Sequence, residues 1–203
     1  MKQAALFHPR VFDDVVWAKG YYRRNARNIH RVGRRFAALL KVDGFEGGRI
    51  LDSGCGFGAV ALELALAFPQ AEILGVDLGD ALLERARSLA EKAGVAGRIT
   101  FRKGDVHRLD LEDNAFDLVV NTFMLHIVED PVSMLNEMER VTRPDGRILI
   151  TDLRRIWLAT VTRKLKTAFT LEEALAIIQE SSLRPGKAHR GPFWWDYRIG
   201  MEE

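Results

Sequence analysis

The chain has 203 residues, enough to bury one sizeable core. Its 47% hydrophobic and 29% charged residues are ordinary for a globular protein, and a net charge of +2 does not by itself call for nucleic acid or an anionic membrane. A single cysteine, Cys55, excludes an internal disulfide, a cysteine-rich zinc site and a radical centre built on an iron–sulfur cluster.

Residues 1–10 read as a loose start without an apolar signal core, and no apolar run is long enough to span a membrane. A cytoplasmic protein is the expectation. From Val11 to about Leu40 the pattern is helical, with Ile29, Val32, Phe36, Leu39 and Leu40 recurring between arginines. Val42 to Gly48 is a glycine-rich connection. Residues 49–53 read as a strand and 57–68 as a helix, stopped by Pro69. Ile73–Asp77 is a strand, and Leu82 to Ala93 mark a helix ending at Gly94. Ile99–Gly104 and Phe116–Asn121 are strands. Pro131 opens a helix through Val141. Arg143–Gly146 reads as a turn, and Arg147–Asp152 as a strand. Thr170 to Ser182 is a helix with a capping box from Thr170 and Glu173. Arg184–Arg190 and Phe193–Ile199 read as a hairpin.

Alternating strands and helices predict a doubly wound α/β fold of Rossmann type, with a mostly parallel sheet. In such sheets ligands bind beyond the carboxyl ends of the strands, at the switch point. Asp52, Asp77, Asp105, Asn121 and Asp152 all fall at or just past predicted strand ends.

The densest signal is Asp52-Ser-Gly-Cys-Gly-Phe-Gly58 between the first strand and its helix. Glycines at alternate positions let backbone come close to a ligand. The third glycine stands one position too early for the dinucleotide fingerprint, and no Gly-Lys-Ser/Thr follows as in a phosphate loop. Asp77, nineteen positions after Gly58, is placed to accept from ribose hydroxyls.

Together with Gly75-Val-Asp-Leu78, Gly104-Asp-Val106, Phe116-Asp-Leu-Val119, Leu125-His126 and Leu135 to Thr151, this run resembles the ordered motifs of class I S-adenosylmethionine-dependent methyltransferases. The small-molecule subgroup called type 11 is the nearest in pattern. The resemblance covers about residues 45–152 strongly and the tail loosely. It implies a seven-stranded sheet with a C-terminal antiparallel hairpin strand. It also implies one domain, with an N-terminal helical lid (1–44), a cofactor-binding core (45–152) and a C-terminal helix and hairpin (153–203).

Carried over position by position, the resemblance makes S-adenosylmethionine the cofactor and S-adenosylhomocysteine the product. Asp52, Ser53, Gly54, Cys55, Gly56 and Gly58 would hold the methionine portion, Asp52 through its ammonium group. Asp77 would bind the ribose, Leu78 and Val106 would flank the adenine, and Asp105 would accept from its amino group. Asn121 would sit under the methionyl end. Taken alone, Asp105 reads better as a turn residue and Asn121 better as a strand-end cap.

Methyl transfer from a sulfonium is an in-line displacement that demands alignment and dryness, and no metal. A base helps only where the acceptor must lose a proton. His126, after the fourth strand, is the candidate base or substrate contact; packing under the loop is its alternative. His107 follows Asp105 and reads as facing solvent, and His8, His30 and His189 form no recognisable constellation.

Acceptor selection should come from Phe12, Trp17, Tyr21 and Tyr22, from Leu153 to Phe169, and from Phe193-Trp-Trp195. In the second of these, Trp157, Val161 and Leu165 alternate with Arg154, Arg155, Arg163, Lys164 and Lys166. Those charges read best as a solvated helix face. Asn121-Thr-Phe-Met124 stands where amino-methylating enzymes of nucleobases and glutamine carry Asn/Asp-Pro-Pro-Tyr. The expectation is a small-molecule acceptor, with no nucleic-acid or membrane partner and a homodimer allowed. Its alternatives are a non-catalytic cofactor-binding module working through a partner and a nucleic-acid methyltransferase.

Overall fold

The computed structural model describes residues 13–155 and 167–201. His8, Phe12, Trp157, Val161, Arg163, Lys164, Leu165 and Lys166 lie outside them. The first helix, α1 (Val15–Val42), begins where the Asp14 carboxylate accepts from the Trp17 amide at 2.9 Å. There follow β1 (Arg49–Ser53), α2 (Ala59–Ala67), β2 (Glu72–Asp77), α3 (Asp80–Lys92), β3 (Ile99–Lys103) and β4 (Phe116–Thr122). Next come α4 (Pro131–Val141), β5 (Thr142–Leu153), α5 (Leu171–Glu180), β6 (Lys187–Arg190) and β7 (Trp194–Ile199). Pro131 occupies the first turn of α4, where a missing N–H costs nothing. The capping box of α5 forms as the sequence indicates: Glu173 N–H donates to Thr170 Oγ1, and Thr170 N–H donates to Glu173 Oε2.

The strands make one seven-stranded sheet in the order β3-β2-β1-β4-β5-β7-β6. The first five are parallel, and β7 and β6 close the sheet antiparallel. The doubly wound α/β fold with its C-terminal hairpin is therefore observed. Winding runs outward from β1 to β3, then restarts at β4. The switch point lies between β1 and β4, where Asp52 pairs with Val120 and Ser53 with Asn121.

One local expectation fails. Arg143–Gly146 is not a free turn before a strand but belongs to β5. The ladder steps from Phe116–Thr142 to Leu118–Arg147, so four residues of β5 swell out of register. Pro144 has no N–H to give the ladder. A Cβ on Gly146 would lie 2.8 Å from Thr142 Cγ2, so only glycine closes the swelling.

Alternation along the strands sorts the core into two layers. Ile50, Leu118, Val120 and Leu149 pack with Phe36 and Leu40 of α1, Leu64 of α2 and Leu83 of α3. Leu51, Val119, Ile148 and Ile150 pack with Met134 and Met138 of α4, Ala174 and Ile178 of α5, and Trp195. Glycine lets α1 approach α2: a Cβ on Gly33 would lie 2.8 Å from Glu63 Cβ and 3.1 Å from the Val60 Cα.

A polar latch fixes α1 to the far side of the sheet. Arg35 donates to both carboxylate oxygens of Asp196 on β7, at 2.5 and 2.8 Å, and to Thr151 Oγ1 at 3.0 Å. Asp196 is buried, so removing the guanidinium leaves a desolvated carboxylate facing the Thr151 hydroxyl at 2.5 Å and Arg198 at 3.3 Å. Arg35→Ala is expected to cost about 3 kcal/mol. Arg34→Ala, which loses a half-exposed pair to Glu63, should cost less than about 1 kcal/mol. Urea unfolding of the two variants distinguishes these values; equal losses would deny the latch its role.

Candidate functional site

The turn after β1 is held from below by β2. The carbonyl of Val76 accepts from the amides of Gly54 (2.8 Å) and Cys55 (3.0 Å). Gly54 and Gly58 have φ of +78° and +74°. A Cβ on Gly58 would meet Phe101 Cζ at 2.7 Å, and one on Gly54 would meet Met124 Sδ at 2.6 Å. Both glycines thus supply conformation and space together. Gly56, at φ +54°, has open space where its Cβ would be.

Two buried carboxylates organise this turn. Asp77 Oδ2 accepts from the Gly56 amide at 2.8 Å, and Oδ1 from the Gly79 amide at 2.9 Å. Burial raises its pKa, although the two amides oppose the rise. Asp52, 1% exposed, accepts from the Ala61 amide at 3.1 Å. Gly58, the N-cap of α2, has no side chain to offer, so Asp52 satisfies that first-turn amide from β1. Burial pushes the Asp52 carboxyl up to about 7, with the nearby Asp77 charge adding to it and the Ala61 amide opposing.

Opposite them stands a histidine–carboxylate pair. His126 Nδ1 lies 2.5 Å from Asp152 Oδ1, and the His126 amide donates to Asp152 Oδ2 at 3.1 Å. The Asp152 side chain is 1% exposed and that of His126 9%. With the carboxylate accepting from Nδ1–H, the neutral form of the ring carries its lone pair on Nε2. No described group bonds Nε2.

A cavity of about 500 Å³ joins these parts, within the range of drug-sized ligand pockets. Asp52, Gly54, Cys55, Gly56 and Asp77 line one side. Thr122, Phe123, Met124, His126 and Ile127 line a second, and α1 lines a third with Trp17, Tyr21, Arg24, Asn25 and Asn28. Trp17 stacks on Tyr21 at 5.1 Å, and Tyr21 meets Phe57 edge-on. Burial, with the charges of Asp77 and Asp152, raises the Tyr21 phenol to about 12, so it stays protonated as a donor.

Several residues expected at the site stand outside the cavity wall. Ser53 and Asn121 are fully buried, with Asn121 Nδ2 donating to the Ser53 carbonyl at 2.8 Å and so tying β4 to β1. Gly58 sits beneath, against Phe101 and Ala86. Leu78 is exposed, and Val106 is buried beside Leu125 in the second core layer. Asp105 is exposed and occupied by His107, accepting from its amide (3.0 Å) and lying 2.6 Å from its Nδ1. His30 meets Glu63 at 2.8 Å, away from the cavity lining.

Sequence reasoning missed Thr122, Met124, Arg24, Asn25 and Asn28 as cavity residues, and the pairing of Asp152 with His126. Positions 17, 21, 24, 25 and 28 recur at helical spacing and form a second face of α1. Attention to the apolar stripe at 29, 32 and 36 hides it. The hydroxyl of Thr122, the Ser53 hydroxyl and Asn121 Oδ1 are buried without a partner among the described residues. Such atoms at strand ends cost stability unless something bonds them.

The family model for the methyltransferase domain matches residues 45–190. The chain belongs to the methyltransferase-domain family. Its relatives include a ubiquinone/menaquinone biosynthesis C-methyltransferase of Bdellovibrio bacteriovorus, 33% identical over 129 residues, or 63% of this chain and 53% of the relative. Another is a malonyl-[acyl-carrier protein] O-methyltransferase of Legionella pneumophila, 31% identical over 159 residues, or 78% of this chain and 54% of the relative. The chain thus spans about half the length of these curated relatives. The solved structure of a SAM-dependent methyltransferase from Aquifex aeolicus shares the fold, with a TM-score of 0.71 at 20% identity over 95% of this chain and 97% of that one.

In this methyltransferase domain the raised pKa of Asp52 has a measurable sign. Its carboxyl titrates near 3.8 when unfolded and about 7 when folded. Between those values the native state binds more protons, so the Asp52 contribution to stability falls as pH rises through the window. Asp52→Asn should flatten that part of the profile. Urea unfolding at about pH 5 and about pH 8 should show a smaller drop in the variant than in the wild type; equal drops would count against a buried, neutral-leaning Asp52. In the same assay Gly58→Ala should lose about 2–4 kcal/mol through φ strain and collision with Phe101.

Proposed function

We propose that this chain transfers a methyl group from S-adenosylmethionine to a small acceptor that must lose a proton, with His126 as the base. The observation that carries the reading is the convergence on one cavity of the Asp77-clamped glycine turn and the His126–Asp152 pair.

The residues present fit the cofactor. Asp77 spends one lone pair of each oxygen on Gly56 and Gly79, which leaves acceptor capacity for two ribose hydroxyls. Asp52 is buried without a cation, so an ammonium group would restore its charged form. Gly54 and Gly56 present bare backbone, and the unpartnered Thr122 hydroxyl waits at the wall. Cys55 lines the wall beside them, while Ser53, Gly58 and Asn121 set the shape of the turn from behind. Leu78, 37% exposed, offers an apolar surface for the adenine beside Val106, with Asp105 as acceptor in competition with His107.

When bound, the cofactor supplies a methyl group already activated on a sulfonium sulfur. The chain supplies alignment, dryness and a proton acceptor. Trp17, Tyr21, Phe123, Met124, Ile127 and Leu153 make the walls apolar and keep water from the reacting atoms. Asp152 holds the His126 ring by Nδ1, and Nε2 takes the acceptor's proton. Oxygen acids, nitrogen acids and phenol-activated carbon all meet this demand.

Calorimetry is expected to show binding of S-adenosylhomocysteine and none of nicotinamide dinucleotides. With an acceptor found by metabolite screening, His126→Ala should lower methyl transfer about a hundredfold or more at neutral pH. The deficit should shrink as rising pH ionises the acceptor unaided. Unchanged turnover and an unchanged pH profile would remove His126 from the mechanism. Asp152→Asn should fall between wild type and His126→Ala.

A further inference from the structure

Helix α1 contains no acidic residue, although the whole chain holds nearly equal numbers of each sign. Two of its arginines are neutralised by neighbours: Arg34 by Glu63, and Arg35 by Asp196. Arg24 is not. Among the described residues it is the one cationic side chain on the cavity wall. Asn28, one turn further along α1, lines the same cavity. At i, i+4 the two side chains are neighbours on one helix face. Both are exposed, and neither side chain has a hydrogen bond or ion pair among the described residues.

The guanidinium is also given room. A Cβ on Gly20 would lie 3.0 Å from Arg24 Nη1 and 3.7 Å from its Cζ. The head therefore lies back over the preceding turn, in the space that a glycine leaves. Glycine inside a helix is costly relative to alanine. At Gly20 the cost has a return: a guanidinium held along the cavity side of α1 with its donors unspent.

The other charges of the cavity are carboxylates. Asp52 and Asp77 on the wall, and Asp152 behind His126, face amides or an imidazole and, among the described residues, no arginine or lysine, so this end of the sheet favours cations over anions. An anionic ligand group would be repelled there unless it met Arg24. A planar carboxylate suits a guanidinium, which offers parallel donors, and the Asn28 amide adds a third.

We infer that Arg24, with Asn28, is a carboxylate-binding site at the mouth of the cavity, and that Gly20 makes room for it. The inference rests on the cofactor reading above. Two carboxylates could occupy it: that of the methionine portion of the cofactor, or one carried by the acceptor.

Three titrations separate these sources in wild type, Arg24→Gln and Gly20→Ala. The probes are S-adenosylhomocysteine, 5′-methylthioadenosine, which lacks the carboxylate, and 4-hydroxybenzoate against phenol on the S-adenosylhomocysteine-loaded protein. If the cofactor is the source, Arg24→Gln weakens S-adenosylhomocysteine about tenfold or more and leaves methylthioadenosine unchanged. If the acceptor is the source, both nucleosides bind as before and 4-hydroxybenzoate loses its advantage over phenol. Gly20→Ala, which favours the helix and folds at least as well, should show the same selective loss in smaller measure. The inference is overturned if Arg24→Gln changes none of the three, or weakens both nucleosides equally. A wild-type protein that binds neither nucleoside would overturn the cofactor reading instead, and this inference with it.

Discussion

The carboxylate of Asp77 joins two turns that would otherwise be independent. One oxygen holds the amide of Gly56 after β1, and the other holds that of Gly79 after β2. The shape of the glycine turn follows from that clamp. It fixes the glycine turn against β2, where the Val76 carbonyl takes two more amides. The turn in turn sets the start of α2, whose first-turn amide Asp52 reaches from β1. A buried carboxylate is expensive in itself; the raised pKa of both acids records that expense. An arrangement with unspent carboxylate lone pairs beside a cavity suits a ligand carrying hydroxyl groups and a positive charge.

The second element on which the site depends is α1. Its later half is structural: Phe36 and Leu40 fill the first core layer, and Arg35 locks onto Asp196. Its earlier half lines the cavity with an aromatic pair and a polar face. One helix therefore carries both the packing that anchors it and the side chains that face a ligand. The latch and the Gly33 contact with α2 hold that polar face in place over the turn.

The core of the fold was legible because each element announced itself locally. Short apolar runs between helix and turn signals placed β1, β2, β4 and β5, and Pro131, Gly94 and the Thr170–Glu173 box marked helix ends. The glycine run and the two aspartates stood out because backbone conformation and burial leave few substitutes. Arg143–Gly146 misled because proline and glycine signal a turn equally well when the turn is a swelling inside a strand. Asp152 could be placed at a strand end, but its partner His126 is 26 residues away and only the β4–β5 pairing brings them together. Arg24 and Asn28 were hidden by composition: on an arginine-rich helix one more arginine reads as solvated charge, and only packing shows which one turns to the cavity.

Hydrogen exchange, with and without S-adenosylhomocysteine, tests the central claim most directly. If the clamped turn is the cofactor site, the amides of Gly54, Gly56 and Gly79 and those of α1 around Tyr21 to Asn28 should slow on addition of the ligand. Those of β6 and the outer edge of β7 should not change. Protection confined to the hairpin, or none at saturating ligand, would contradict the account.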